Sequence, residues 1–217
     1  MRFDPKIETD LTNLEKLVAK GEGTEMDFKR QVSSQQKIAR TLAAFANNRG
    51  GKLLVGVEDN GDLVGVNVEE EMYMIHDAAE NFCDPPVDIF FTIYEDEGIS
   101  ILQAEIPRSL KKPHLALDEH NEWQIYIRAA DKTLVASKTA LQYLDEEEDE
   151  TASLGELDSK EKALLDYLQL HESVTAKIFS RVLNISLQRS NRILVKLMKM
   201  GLIIQQKDMR GEYYVLR

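Results

Sequence analysis

The sequence is poor in cysteine, with Cys83 alone among 217 residues. One cysteine excludes an internal disulfide, and no Cys and His spacing matches a zinc site. The four histidines, at positions 76, 114, 120 and 171, are scattered along the chain. Because structural disulfides belong to oxidising compartments, this composition favours a cytoplasmic protein.

Long apolar runs are missing as well. No run approaches the roughly 18 residues that a membrane-spanning helix requires. The opening residues, Met-Arg-Phe-Asp-Pro-Lys, lead into charged residues and offer no apolar signal-peptide core. Hydrophobic residues make up 43% and charged residues 30%, as in an ordinary globular protein. We therefore expect no membrane partner.

Positive charge is in deficit, but only in part of the chain. The net charge is −11. Lys and Arg fall nine short of Asp and Glu over residues 1–144 and eight short over 145–158, yet they exceed them by six over 159–217. Such a chain does not coat nucleic acid over its whole surface. The change of sign directs any nucleic-acid partner to the C-terminal part.

The acidic run at residues 145–158 divides the chain. It contains almost no large apolar residue, so it cannot bury enough surface to offset the entropy of ordering it. It is either an extended linker or the solvated end of a helix formed by the preceding Thr-Ala-Leu-Gln-Tyr-Leu. Both interpretations predict an N-terminal domain over 1–144 and a C-terminal domain over 159–217.

Helical and strand patterns alternate before the acidic run. Helices are predicted over 9–20 and from about Ser34 to Gly50, and a β-hairpin is predicted around the Asn60-Gly61 turn. Gly50 and Gly51 precede Lys52, but they follow a helix and precede a strand, which is the reverse of a phosphate-binding P-loop. The pattern predicts an α+β fold with a mostly antiparallel sheet and flanking helices.

Four segments of the N-terminal part occur together in one family. They are Gly-Glu-Gly-Thr-Glu-Met-Asp-Phe-Lys-Arg at 21–30, Ala-Phe-Ala-Asn-Asn-Arg-Gly-Gly at 44–51 with the hairpin after it, Ile-Pro-Arg-Ser-Leu-Lys-Lys-Pro-His at 106–114, and Tyr-Ile-Arg at 126–128. Over about residues 15–137 the chain resembles the Schlafen-type AlbA-like domain, once called a divergent AAA domain. In bacteria this domain commonly belongs to DNA-binding regulators, often ahead of a helix-turn-helix.

The resemblance also implies an alternative function, because some Schlafen relatives cleave RNA with three carboxylates. The matching positions are Glu22, Asp27 and Asp59, with Glu58 as a substitute for the last. Three such carboxylates would hold Mg²⁺ or Mn²⁺. The family pattern has Glu at the position of Asp27, and a glycine often follows its Tyr-x-Arg, where this chain has Ala129-Ala130. Turns, caps and salt bridges to Lys29 or Arg128 explain the same acids without catalysis.

Cations and amides near the double glycine form a candidate site in the N-terminal domain. In the functional interpretation, basic side chains grip phosphates; in the structural one, they meet the carbonyl groups at a helix C-terminus. The candidate residues are Lys29, Asn47, Arg49, Lys52 and Arg128.

The C-terminal part gives the clearer pattern. Three helical segments and a strand pair follow one another over 159–217, an order that predicts a small winged helix-turn-helix domain. Asn184-Ile185 is expected to form the tight turn between its second and third helices. Ser186 is the expected N-cap of the third helix, which ends before Gly201.

Helical spacing divides the third helix into an aliphatic face and a basic face. Arg, Gln and Asn near the start of such a helix read base edges in the major groove, and Lys further along contacts phosphates. The predicted DNA contacts are Gln188, Arg189, Asn191, Arg192, Lys196, Lys199, Lys207 and Arg210. The alternative is a solvated face, or a winged helix that pairs with a protein.

These patterns predict a DNA-binding protein, a transcriptional regulator that docks its C-terminal domain on double-stranded DNA and that can form a homo-oligomer. A metal-dependent RNA nuclease is the alternative function, and only that alternative requires Mg²⁺ or Mn²⁺.

Overall fold

The structure is a computed structural model and describes residues 4–96, 98–137, 157–209 and 211–217. The chain divides into two compact units, Met1–Thr133 and Leu134–Arg217. Most of the predicted acidic linker lies outside the described residues. Each unit is described by itself.

A five-stranded sheet forms the centre of the first unit. Its strands, in spatial order, are β1 (Lys6–Glu8), β5 (Phe90–Asp96), β6 (Ile99–Pro107), β3 (Gly50–Val55) and β2 (Met26–Lys29). The pairs β1–β5 and β2–β3 are parallel, whereas β5–β6 and β6–β3 are antiparallel. A helix connects β2 to β3, as a parallel pair requires.

Three helices cover the two faces of this sheet: α1 (Thr12–Lys20), α2 (Gln35–Asn47) and α3 (Val68–Asn81). Successive residues of a strand point to opposite faces. Leu54 of β3 therefore joins the core under α1, with Leu14 and Leu17. Leu53 joins the larger core under α2 and α3.

A second sheet of four strands places α2 in the interior. Its strands, in spatial order, are β4 (Cys83–Asp84), β7 (Leu115–Leu117), β8 (Trp123–Ala129) and β9 (Lys132–Ala136). Helix α2 packs against β7 and β8 as well as against α3 and the first sheet. Its last turn is consequently buried, including the polar residue Asn47.

The predicted α+β class is confirmed, but the central sheet is mixed rather than mostly antiparallel. The prediction of a second hairpin strand after the Asn60-Gly61 turn is also wrong. The Asn60-Gly61 turn forms, with a φ of 91° at Gly61, but an isolated bridge between Val57 and Leu63 replaces the paired strand. After Leu63 the chain leaves β3 for β6, where the Val66 N–H donates to the carbonyl of Ser100.

The second unit contains, after residue 157, three helices followed by a strand pair. They are α4 (Ser159–Leu170), α5 (Ala176–Val182), α6 (Leu187–Lys199), β10 (Ile203–Asp208) and β11 (Gly211–Leu216). The strands are antiparallel. Side chains cap all three helices, since Asp158, Thr175 and Ser186 each accept a backbone N–H of the first turn.

The turn before α6 has the predicted geometry. Asn184 adopts a φ of 50°, a conformation that Asn tolerates better than most residues. The Ser186 side chain accepts the Arg189 N–H at 3.1 Å, which confirms the predicted cap. The sequence pattern also places Leu187 on the aliphatic face of the third helix, and this is wrong, because Leu187 is 51% exposed while Val195 is buried.

Among the described residues, no helix has the length and the apolar character needed to cross a bilayer.

Candidate functional site

Glu22, Asp27, Lys29 and Arg128 form a compact charged cluster at β2. Asp27 is buried; its Oδ1 lies 3.3 Å from Arg128 Nη2, and its Oδ2 lies 2.8 Å from Lys29 Nζ, outside hydrogen-bond geometry. Glu22 Oε1 accepts the Phe28 N–H at 2.8 Å. Burial, with the nearby Asp27 charge, raises the pKa of Glu22 above its ordinary value. Two cations thus balance two carboxyl groups.

Arg128 is part of the interior rather than of a ligand surface, because it is only 2% exposed. Its Nη2 donates to the carbonyls of Gly23 at 2.8 Å and Met26 at 3.3 Å. Its guanidinium lies 5.0 Å from the centre of the Phe45 ring. The interpretation of Arg128 as a phosphate ligand is therefore corrected: the side chain fastens β2 to β8 and α2.

This cluster does not fit a three-carboxylate metal centre. Asp59 lies exposed in the turn after β3, and no group of three His, Cys, Asp or Glu in the described part of the chain is arranged to hold a metal ion. Asp27 already has two cationic partners, Lys29 and Arg128. A divalent ion would have to displace them, so we derive no metal-dependent step.

Asn47 is also a structural residue, with no exposed surface. Its Nδ2 donates to the carbonyls of His114 at 2.8 Å and Tyr126 at 2.9 Å, and its Oδ1 accepts the His114 N–H at 2.8 Å. These hydrogen bonds are thus made to the backbone of β8 and of His114, the residue before β7. Asn47 fastens the end of α2 and is not available to a ligand.

Two of the five N-terminal candidates line a common cleft. Arg49 is exposed, Lys52 is half-buried, and both border a concavity of about 490 Å³ at the start of β3. Lys52 Nζ contacts Glu105 Oε2 on the adjacent strand β6. Glu22 lines the same cleft, whereas Lys29, Asn47 and Arg128 do not.

Six of the predicted DNA-contacting residues lie on α6, and they differ in exposure. Gln188, Arg189 and Arg192 are exposed, and Asn191 and Lys199 are half-buried. Leu194 and Met198, which have no exposed surface, lie on the other side of α6, and Asn191 stands at the border of that buried side. On the buried side, Ser190 Oγ donates to the Ala176 carbonyl at 2.8 Å and so fixes α6 against α5.

Lys196 is held within the unit. Its Nζ lies 2.7 Å from Oε1 of Glu161 in α4, and the Glu161 side chain is 4% exposed. Glu161 Oε2 also accepts the Asp158 N–H at 2.9 Å, closing the capping box of α4. Lys196 therefore balances a buried carboxylate and is removed from the basic face on which it was predicted.

The strand pair carries the last two candidates. Lys207 is exposed near the end of β10. Arg210 lies outside the described residues.

Three residues with evident roles escaped the sequence interpretation. Lys20 and Arg108 line the cleft beside Arg49, and Glu161 holds Lys196. Arg108 directly follows β6, whose end is paired with the start of β3. The pairing register of β3 with β6 would have placed Arg108 beside Arg49. It could not be used at the sequence level, because it depends on knowing which strands are neighbours in the sheet.

Two solved structures show distant similarity to this chain. The DIP2311 protein from Corynebacterium diphtheriae is 16% identical with a TM-score of 0.43 over 95% of this chain. This chain spans 38% of that protein's length. The N-terminal domain of a Nitrosomonas europaea protein named as related to the ATP-dependent DNA helicase RecG is 23% identical with a TM-score of 0.37, over 46% of this chain and 74% of that one.

No curated protein matches the chain. The sequence model described as "Schlafen, AlbA_2" matches residues 22–137. This segment includes every strand of the two sheets except β1, and it makes up more than half of the 217 residues. On that match, the chain belongs to the Schlafen AlbA_2 family.

Proposed function

We propose that the protein binds duplex DNA through helix α6 and regulates transcription. In this proposal residues 159–217 form a winged helix-turn-helix, and the acidic run at 145–158 links it to the Schlafen AlbA_2 domain. The observation that carries the proposal is the first two turns of α6, where Gln188, Arg189 and Arg192 are exposed together above a buried aliphatic face.

The local architecture supports α6 as the recognition helix. Three helices precede an antiparallel strand pair, and a tight turn at Asn184 joins α5 to α6. In helix-turn-helix proteins the second helix of the motif enters the major groove with its N-terminal residues toward the bases. The exposed residues of α6 lie at that end, directly after the Ser186 cap.

Charge supports the same partner. Lys and Arg exceed Asp and Glu by six over 159–217, whereas the rest of the chain has a net negative charge. The C-terminal part is therefore the part whose net charge attracts a DNA duplex. The family to which the chain belongs agrees with a nucleic-acid partner, because the sequence motifs that carry the resemblance are common in bacterial DNA-binding regulators.

Single substitutions on α6 test this proposal. Duplexes selected from random DNA by the full chain would be labelled, and binding measured by fluorescence anisotropy at two salt concentrations. A bidentate Arg–guanine contact contributes about 1–3 kcal/mol, so Arg189→Ala and Arg192→Ala should each weaken binding about 5- to 150-fold. Binding should also tighten steeply as salt is lowered.

Lys162→Ala is the matched control, since it removes one charge from an exposed position on α4. We expect it to change affinity less than threefold. Unchanged affinity in Arg189→Ala, in Arg192→Ala and in the double variant would exclude α6 as the reading helix. Binding that does not respond to salt would exclude a phosphate-dominated interface altogether.

A further inference from the structure

DNA binding by α6 does not explain the cleft beside Arg49 in the first unit. It lies where β3 begins and β6 ends, and the chain that follows α1 closes one side. Its volume of about 490 Å³ falls within the range of small-molecule sites, about 300–1,000 Å³.

Cations gather in this cleft although the surrounding domain is acidic. Four basic residues line it, Lys20, Arg49, Lys52 and Arg108. Over residues 1–144, by contrast, Asp and Glu exceed Lys and Arg by nine. Because a cleft with low-dielectric walls focuses the field of its charges, these side chains favour an anionic ligand. The planar guanidinium groups of Arg49 and Arg108 suit phosphate oxygens in particular.

The acidic residues of the cleft are three glutamates, Glu22, Glu25 and Glu105. Glu105 is already the partner of Lys52. Glu22 and Glu25 lie on the segment after α1, across from Arg108 at the end of β6. Carboxylates accept hydrogen bonds from hydroxyl and amino groups. A ligand that carries phosphate at one end and such donors at the other matches this distribution.

Two glycines of the cleft are required by the packing of the fold, and a third, Gly23, is not. A Cβ on Gly50 would lie 2.7 Å from the Ile106 carbonyl oxygen, and a Cβ on Gly51 would lie 2.2 Å from the Phe45 ring. The absence of a side chain at these two positions allows β3 to pack against β6 and α2. A Cβ on Gly23 would meet nothing within 4 Å, and its φ is ordinary. A side chain at position 23 would therefore extend into open space at the cleft lining.

We propose that this cleft binds a free nucleotide, with Arg49 and Arg108 holding its phosphates and Glu22 or Glu25 accepting its ribose hydroxyl or base amino groups. Most of the lining lies within the Schlafen AlbA_2 match at residues 22–137, and the end of α1 with Lys20 completes it. The cleft would then be an effector site of the protein. This proposal does not depend on DNA binding by α6.

Fluorescent mant-ATP and mant-GDP, added to the full chain in EDTA, test the proposal by anisotropy. We expect saturable binding that unlabelled ATP, ADP or GDP displaces. Arg49→Ala and Arg108→Ala should each weaken it at least tenfold. Lys111→Ala, which removes an exposed charge three residues after Arg108 but outside the cleft lining, should change it less than twofold.

A steric variant separates ligand binding from folding. Gly23→Val fills the open side of the cleft, so it should abolish mant-nucleotide binding while the urea midpoint of unfolding stays that of the wild type. No saturable binding to the wild type, or equal binding by wild type, Arg49→Ala and Arg108→Ala, would overturn the proposal. A labelled single-stranded octanucleotide serves as the second arm. If it binds through Arg49 and Arg108 and mononucleotides do not displace it, the ligand is polymeric and the proposal is wrong.

Discussion

Replacing Arg128 by alanine is expected to lower the free energy of unfolding of the first unit by about 3–5 kcal/mol. Typical domains have about 5–15 kcal/mol in total, so this is the largest single effect that the structure predicts. The reason is the burial of the side chain, which is 2% exposed and donates to Gly23, Met26 and Asp27. Without it, a buried carboxylate and two carbonyl oxygens lose a donor.

The chain carries its own probe for this measurement. Its single tryptophan, Trp123, lies on β8, the strand that also carries Arg128. Urea unfolding followed by tryptophan fluorescence therefore reports on the first unit. Arg128→Lys should recover only part of the loss, because an ammonium group keeps the charge but not the planar arrangement of donors.

Arg30→Ala is the control for Arg128→Ala. Arg30 pairs with Glu58 at 2.7 Å, but its side chain is 68% exposed, and such surface pairs contribute at most about 1 kcal/mol. We expect its urea midpoint to lie near that of the wild type. If Arg128→Ala unfolds at the same urea concentration as Arg30→Ala, the buried guanidinium does not hold β2 in place.

Asn47→Ala should lower the free energy of unfolding by about 2–4 kcal/mol, which is the second-largest effect on stability. The substitution removes three hydrogen bonds from a site with no exposure. It leaves the His114 N–H and the carbonyls of His114 and Tyr126 without that partner, and each buried unsatisfied group costs about 1–3 kcal/mol. The same fluorescence measurement applies, since Tyr126 lies on the strand of Trp123.

Asn48→Ala provides a matched control one residue away. Its Nδ2 makes one hydrogen bond, at 3.3 Å, to the Arg128 carbonyl, and the residue is half-buried. We expect a loss below about 1 kcal/mol. Equal losses for the two asparagines would show that the end of α2 as a whole, rather than the buried amide, sets the stability.

Asn47→Asp adds a test by pH. The new carboxylate would face the two carbonyl oxygens that now accept from the amide, so its folded-state pKa would be raised above the unfolded value. A raised carboxyl pKa means that the folded state binds more protons, and stability then increases as the pH falls. A variant whose urea midpoint declines on acidification in parallel with the wild type would contradict this arrangement.

Local sequence was sufficient to predict the elements that depend on neighbouring residues. The helix α2 after Ser34, the cap at Ser186 and the turn at Asn184 all rest on contacts within a few residues. Such signals are carried by helical periodicity and by capping chemistry. They also identified the exposed Arg189 and Arg192 as members of one helix face.

Contacts between distant residues could not be predicted in this way. Nothing near Arg128 in the sequence shows that its guanidinium meets the carbonyl of Gly23, more than a hundred residues earlier. The same holds for Asn47, whose burial follows from the position of α2 between two sheets. Lys196 has the spacing of the basic face, and only the packing of α4 against α6 brings it to Glu161.

The parallel pairing of β2 with β3 was missed for a related reason. A strand of four residues gives little period-two signal, and its direction is set by the α2 crossover rather than by its own side chains. The error matters for the site, because the parallel pairing of β2 with β3 brings the chain that follows α1, with Glu25, beside Lys52 at the cleft.

Chemical-shift mapping of the full chain with a selected DNA duplex tests the central claim most directly. An ¹⁵N-labelled protein would be titrated, and amide shifts followed residue by residue. DNA binding through α6 predicts the largest changes at residues 186–193, with smaller ones at Lys199 and Lys207. Binding that leaves these amides unshifted, while those of the first unit move, would contradict it.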